Sequence, residues 1–208
     1  MTDSIEGFIL TGGASRRMGK DKASLLVHGE TFVERIAHEL APLCPTVRLV
    51  GDLASSDRLE TVNDVYPGWG ALGGVHSALN ACNAKWALVV ACDFPSVTTE
   101  LFRHLAALSE DFEAVAPVQA DGIPQPLCTL YRVEPCLGIA TGLIESGERK
   151  PIALLQSVRT RWVSFSELSN LAEANHFFDN INTPEDYARL SAKGLSADDA
   201  AMSSGENV

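Results

Sequence analysis

Residues 10 to 22 read Leu10-Thr11-Gly12-Gly13-Ala14-Ser15-Arg16-Arg17-Met18-Gly19-Lys20-Asp21-Lys22, placing two adjacent glycines and the cations Arg16, Arg17, Lys20 and Lys22 in one short stretch. Glycine lets backbone amides approach an anion closely, and successive amides facing one way form a concavity suited to phosphate. Arginine can hold a phosphate bidentately, while lysine supplies a compact point charge. Neither of two common phosphate loops fits. Gly19-Lys20 is followed by Asp21 and lacks the upstream glycine of a Walker A loop, and no G-x-G-x-x-G fingerprint occurs. The bland alternative is a solvated turn. Against it stands the position of the cations, directly after the apolar run Ile5 to Leu10 and before a second run, Ala23 to Val27.

Two carboxylates stand at comparable places. Asp93 follows the most apolar run of the chain, Trp86 to Ala91. A carboxylate there is costly unless it is paired or binds a cation. Magnesium takes one or two carboxylates together with substrate phosphates, so Asp93 is a candidate Mg²⁺ ligand; otherwise it is a turn or cap residue before Pro95. Asp64 ends the strand-like Thr61-Val62-Asn63-Asp64. It could hold a ribose hydroxyl, a base N–H or the metal, or serve only as a turn residue. No nucleophilic dyad is evident, because His28, His38, His76, His104 and His176 stand apart, near no strand-end serine or cysteine, and most read as surface residues. Phosphoryl transfer needs none, since positioning and charge stabilisation supply most of its catalysis.

The elements that must carry these residues alternate. Thr31 with Glu34 forms a capping-box pattern before a helix on Phe32, Val33, Ile36, Ala37 and Leu40, ended by Pro42 and Pro45. A strand follows at Val47 to Val50, an ambiguous polar stretch at Leu53 to Glu60, and the strand ending at Asp64. A second glycine-rich loop, Val65 to Gly74, leads to a helix with Val75, Ala78, Leu79 and Cys82 on one face. Trp86 to Ala91 reads as a central strand buried on both sides. Beyond it come a helix from Thr98 and Thr99 through Leu108, and strands at Phe112 to Val118 and Leu127 to Tyr131 around a turn at Asp121 to Pro124. Helices follow at Pro135 to Glu145 and Lys150 to Ser157, then a strand at Arg161 to Phe165 and a last helix at Thr183 to Leu190. Such alternation implies an α/β fold, a three-layer sandwich with a Rossmann-like, mostly parallel sheet. Ligands bind such sheets outside the carboxyl ends of the strands, so the loops after Leu10, Asp64 and Cys92 are expected to line one crevice.

At 208 residues the chain has the length of one domain, read as residues 1–190 with a polar, disordered tail at 191–208. A net charge of −11 excludes a general nucleic-acid binder and leaves the cationic loop as a local pocket for a small anion. Five cysteines without a C-x-x-C pair argue against a disulfide framework or structural zinc and for free thiols in the cytoplasm. No apolar run approaches a membrane span, and residues 1 to 8 lack a basic signal-peptide start.

The pattern Leu-x-Gly-Gly-x-x-x-Arg-Met-Gly-x-Asp-Lys, here Leu10 to Lys22, resembles the signature of the molybdenum cofactor guanylyltransferases, within the wider nucleotidyltransferase group. The resemblance runs from about Gly7 to Leu190. It implies a nucleotidyltransferase-type fold and a Mg²⁺-dependent transfer of GMP from GTP to molybdopterin, releasing pyrophosphate. It also implies nucleotide contacts at Leu10, Thr11, Gly12, Gly13, Lys22, Asp64 and Asp93, with Lys22, Arg16, Arg17 and Asp93 as catalytic residues and Asp93 as the metal ligand. Gln125-Pro126, Gly147-Glu148-Arg149 and Asn180-Ile181-Asn182-Thr183-Pro184-Glu185 resemble pterin-side segments, with Asn180 and Asn182 binding the acceptor. As residues alone, the two asparagines are equally good turn and cap chemistry. Protein partners implied are those that deliver molybdopterin or receive the finished cofactor as molybdoenzymes. Thr11 replaces the usual alanine, and Gly51 stands nearest a position where the family often has asparagine, with Asp52 a possible substitute. Two alternatives remain at this stage: a relative using CTP or another phosphorylated acceptor, and a nucleotide-binding module without turnover.

Overall fold

The computed structural model describes residues 4–11, 26–27, 29–51 and 59–179. The last expected helix, the tail and most of the ambiguous stretch after Asp52 lie outside them. In chain order the elements are β1 (Ile5–Leu10), β2 (Leu26–Val27), β3 (Glu30–Thr31), α1 (Phe32–Leu40), β4 (Val47–Val50), β5 (Glu60–Val62), α2 (Gly70–Ala81) and β6 (Trp86–Ala91). They continue with α3 (Thr99–Ala107), β7 (Ala114–Pro117), β8 (Cys128–Arg132), α4 (Val133–Glu145), α5 (Pro151–Ser157), β9 (Thr160–Val163) and α6 (Phe165–Leu168).

Seven strands form one sheet in the order β5-β4-β1-β6-β8-β7-β9, and β2 pairs with β3 in a separate ribbon. Every pairing in the large sheet is parallel except those of β8, which runs antiparallel to both β6 and β7. β6 lies in the middle with all six residues buried. Its side chains alternate between two cores. Trp86, Leu88 and Val90 join Val33, Ile36 and Leu40 of α1 and Leu101, Phe102 and Leu105 of α3. Ala87 and Val89 join Leu72, Val75 and Leu79 of α2 and Ala140 and Ile144 of α4. The result is a helix–sheet–helix sandwich, as the alternation predicts. Burying a leucine or valine in such a strand contributes about 1.5–3 kcal/mol, which makes β6 the main apolar anchor of both layers.

Most elements shift by one or two residues at their ends from the sequence expectation, and three of the differences bear on the site or its neighbours. β5 stops at Val62, so Asn63 and Asp64 belong to the loop. β9 stops at Val163, because Ser164 and Glu167 form a capping box that starts α6 where strand was expected to Phe165. α2 begins at Gly70, four residues before the end of the expected loop. Gly73 and Gly74 are packing positions of that helix: a Cβ on Gly73 would lie 2.8 Å from the Trp69 Cβ, and one on Gly74 3.4 Å from Leu10 Cδ1. Small residues here let α2 sit close to its own entry loop and to the end of β1.

α1 keeps the capping box read from sequence. The Thr31 hydroxyl accepts the Glu34 amide at 3.1 Å, and the Glu34 carboxylate accepts the Thr31 amide at 2.9 Å. Thr31→Ala removes one half of this exchange and should lower unfolding free energy by about 1 kcal/mol. Urea unfolding checks it; an unchanged midpoint would show that α1 is held by its apolar face alone.

Candidate active site

Four strand ends line up at one edge of the sheet. Leu10 of β1 is in register with Val50 of β4 and Ala91 of β6, and Val50 with Val62 of β5. A transverse set of hydrogen bonds fixes them. The Cys92 amide donates to the Leu10 carbonyl at 3.0 Å, and the Thr11 amide to the Val50 carbonyl at 2.9 Å. The Thr11 hydroxyl donates to that same Val50 carbonyl at 3.1 Å. Replacing alanine by threonine here therefore adds no polar group to a ligand site, because the hydroxyl is buried and already bonded. Gly51, at φ 118°, stands where the chain leaves β4 in a conformation that side chains rarely adopt, which explains glycine at this position. The first glycine-rich loop starts from Thr11; Gly12, Gly13, Arg16, Arg17 and Lys22 lie outside the described residues, as does Asp52.

Asp93 is half-buried in a tight turn after β6, where the Phe94 amide donates to the Ala91 carbonyl at 3.2 Å. That turn is clamped from two directions. Arg35 of α1 donates through Nε to the Pro95 carbonyl at 2.8 Å. Phe94 packs edge-to-face on Phe178, ring centroids 5.8 Å apart. The carboxylate is thus carried by backbone that α1 and Phe178 hold. Asn180 and Asn182 lie outside the described residues, although Asp179 just before them directly follows this aromatic contact.

Asp64, also half-buried, stands two residues beyond β5. Ser77 fixes the residue after it. This fully buried serine accepts the Val65 amide at 3.0 Å and donates to the Gly73 carbonyl at 2.9 Å. His76 supports Tyr66, the two rings meeting edge-on at 4.8 Å. Thr141 Oγ1 donates to the Leu137 carbonyl at 2.9 Å, so its contact with His76 Nε2 at 3.1 Å makes that nitrogen the donor. Burial disfavours the imidazolium and pushes the His76 pKa down. His76 is therefore a buried neutral histidine, although from sequence most histidines are expected at the surface. The N-terminus of α2 opens at this same edge with Trp69 at the cap position and no side-chain cap, and such an end favours negative charge.

The segments resembling the pterin side reach the same edge in part. β8 begins there, because Cys128 is opposite Val90 and the Ala91 amide donates to the Leu127 carbonyl at 2.7 Å. Gln125, just before, is buried, with its amide on the Pro117 carbonyl at 2.9 Å. The turn Gly147–Arg149 contacts the second glycine-rich loop directly, the Trp69 indole donating to the Glu148 carbonyl at 2.9 Å. Sequence reasoning missed Arg35, Ser77 and the Trp69 contact. Ser77 did carry a signal, as a hydroxyl in the apolar stripe of α2, and so did Trp69, as a large ring between glycines. Arg35 carried none.

All five cysteines are free thiols, and burial raises Cys44 and Cys136 to about 12 and Cys82 to about 11. Thiols held this far toward the protonated form are poor nucleophiles. No helix among the described residues is long and apolar enough to cross a membrane.

A mostly parallel sheet with its glycine-rich and acidic loops on the carboxyl edge defines an α/β protein built to bind a ligand there. The sequence profile of the MobA-like NTP transferase domain matches residues 7–160. The "Probable molybdenum cofactor guanylyltransferase" of Pelotomaculum thermopropionicum is 35% identical over 188 residues, covering 88% of this chain and 90% of that one. The molybdenum cofactor guanylyltransferase of Vibrio campbellii is 33% identical, covering 88% and 92%. Molybdopterin-guanine dinucleotide biosynthesis protein A from Archaeoglobus fulgidus superposes with a TM-score of 0.78 at 26% identity, covering 92% of this chain and 99% of that one. The chain belongs to the MobA-like NTP transferase family and is a nucleotidyltransferase.

The packing of Gly73 yields a test of the loop it supports. A Cβ there would lie 2.8 Å from Trp69 Cβ and 3.1 Å from the Tyr66 carbonyl oxygen, whereas one on Gly138 in α4 meets nothing within 4 Å. Gly73→Ala should lose about 1–3 kcal/mol of stability to overpacking. Gly138→Ala should gain up to about 1 kcal/mol, because alanine is the better helix former. Equal effects of the two variants in chemical denaturation would show that the close approach at Gly73 is not real.

Proposed function

We propose that this protein transfers GMP from GTP to the terminal phosphate of molybdopterin, with Mg²⁺, releasing pyrophosphate. The observation that carries the reading is the registered strand edge, which brings Thr11, Asp64 and Asp93 to one side of the sheet. Support for guanine and pterin comes from the names of the relatives above. A phosphate oxygen of the acceptor attacks the α-phosphorus of GTP; that O–P bond forms as the bond to the bridging oxygen of pyrophosphate breaks. Lys22, with Arg16 or Arg17, neutralises charge that builds on the leaving phosphates. The hard oxygens of Asp93, on firmly held backbone at the edge, fit a magnesium ion that also takes substrate phosphates. When bound, that ion supplies further charge stabilisation at the phosphates.

The strand order supports a division of labour between the two carboxylates. β5 and β6 are separated by β4 and β1, three strand spacings or about 14 Å. Ligands of one magnesium each lie about 2.1 Å from it. In this reading Asp64 serves the nucleoside end, binding a ribose hydroxyl or a base N–H, while Asp93 serves the phosphates. Asn180 and Asn182 bind the acceptor in this reading. Residues 1–190 form the transferase domain, acting in the cytoplasm with proteins that supply molybdopterin or receive the product.

Asp93→Ala and Lys22→Ala should each lose at least about a hundredfold in pyrophosphate release, comparable to removing one strong electrostatic donor. Near wild-type turnover in either variant would overturn the assignment. Thermal-shift titrations with Mg²⁺ test the base, because ligand bound only to the native state raises its stability by mass action. GTP should stabilise more than CTP; the reverse order would overturn the guanine assignment, and binding without pyrophosphate release would favour a module without turnover.

A further inference from the structure

The loop between Asp64 and α2 is tied to α2 at its start, where Ser77 accepts the Val65 amide and His76 meets Tyr66, but its second half has less to fix it. Gly68 and Gly70 sit at φ 77° and 70°, and a Cβ built on either meets nothing within 4 Å. Glycines in open space leave the backbone its full freedom. Besides the Trp69 amide, which donates to the Tyr66 carbonyl at 3.1 Å, what holds Gly68 to Gly70 is the side chain of the half-buried Trp69 between them. The Trp69 indole donates to the Glu148 carbonyl at 2.9 Å. The Arg149 guanidinium lies 4.4 Å from the centroid of the Trp69 ring, and its Nη1 donates to the Gly68 carbonyl at 3.1 Å. The far side of this clasp is firm. The amides of Gly147 and Glu148 donate to the Ile144 and Leu143 carbonyls of α4, each at 2.9 Å. The Glu148 carboxylate in turn accepts the amides of Arg149 and Lys150, each at 2.8 Å.

We propose that Trp69 and Arg149 are a positioning pair for nucleotide binding, clasping the loop of residues 65–70 in the form that receives the nucleoside triphosphate. The proposal rests on the nucleotide reading above. Apparent affinity falls by the fraction of time a site spends in its competent form, so a loop released from its clasp binds more weakly without losing any ligand contact. A guanidinium over an indole, with two hydrogen bonds beside it, can bias such a loop by about tenfold. Arginine suits the place because its planar fork stacks on the ring and donates sideways at once. The clasp also joins the nucleotide-side loop to a turn resembling the acceptor side.

The test measures GTP binding with Mg²⁺ and without acceptor, by calorimetry on the full chain. Trp69→Ala and Arg149→Ala should each weaken binding about tenfold, and the double variant should be no worse than either single one. Trp69→Phe, which keeps the ring and loses the indole donor, should fall between. Unchanged affinity in the single variants overturns the proposal, as does a double variant weaker by about a hundredfold, which would mean that each residue meets the ligand separately. Amide hydrogen exchange without nucleotide separates the clasp from the functional reading. Faster exchange at the Trp69 amide in Arg149→Ala supports the clasp even if GTP proves not to be the ligand, and unchanged exchange overturns it. Arg149 is exposed, so this variant folds even where Trp69→Ala does not.

Discussion

The carbonyl of Val50 accepts two hydrogen bonds from one residue, the amide and the hydroxyl of Thr11, while the carbonyl of Leu10 accepts the amide of Cys92. These bonds tie β4, β1 and β6 together at the point where each strand ends. A sheet can twist and its edges can slip, but a slip of one residue would move every side chain of a strand to the opposite core. β6 cannot tolerate that, because Leu88 and Val90 belong to one core and Val89 to the other. Register is thus set by burial in the middle of the sheet and expressed at its end. The loops that carry Thr11, Asp64 and Asp93 inherit their positions from apolar packing that touches no ligand.

Around this edge part of the support comes from helices. Arg35 reaches from α1 to the Pro95 carbonyl, and Ser77 reaches from α2 to the Val65 amide. Each uses a side chain to satisfy a loop backbone group that has no ladder partner, which is the ordinary way irregular backbone is held. Binding sites gain from such support, since a ligand group misplaced by an ångström loses much of its effect. Gly73 and Gly74 contribute by absence: without a Cβ, α2 can lie against Trp69 and Leu10.

Much of the fold could be read from the chain. The apolar run Trp86 to Ala91 announced a central strand, and Thr31 with Glu34 announced the start of α1. What was misread involved residues whose type serves two purposes. Gly73 and Gly74 look like loop residues, yet they are close-packing positions inside a helix. Ser164 continues a strand pattern, yet its pairing with Glu167 begins a turn of helix. The antiparallel pairing of β8 with β7 is signalled by the helix-free turn at Asp121 to Pro124 that joins them, whereas the insertion of β8 between β6 and β7 has no local signal. At the candidate site, Asp64 and Asp93 are expected at strand ends, where ligands bind α/β sheets, while Leu10 and Thr11 come from the family resemblance; the structure places all four at one edge. Arg35, Ser77 and the pairing of Trp69 with Arg149 could not be named, since they depend on distances across 60, 12 and 79 or more positions of sequence.

Charge poses the last physical question, because a chain of net charge −11 is proposed to bind a triphosphate. At physiological ionic strength the Debye length is about 8 Å, so exposed carboxylates farther away are largely screened from the site. What acts on a bound phosphate is local. The sequence concentrates Arg16, Arg17, Lys20 and Lys22 in one loop that starts from the strand edge, and α2 opens there with uncapped amides. Both are favourable to an anion at contact distance and nearly invisible to one farther off. A single cationic loop in a chain of net charge −11 suits the proposed small polyphosphate better than a nucleic acid, whose binding needs many neutralised phosphates. The same charge balance that argues against a general nucleic-acid binder is thereby compatible with the proposed nucleotide.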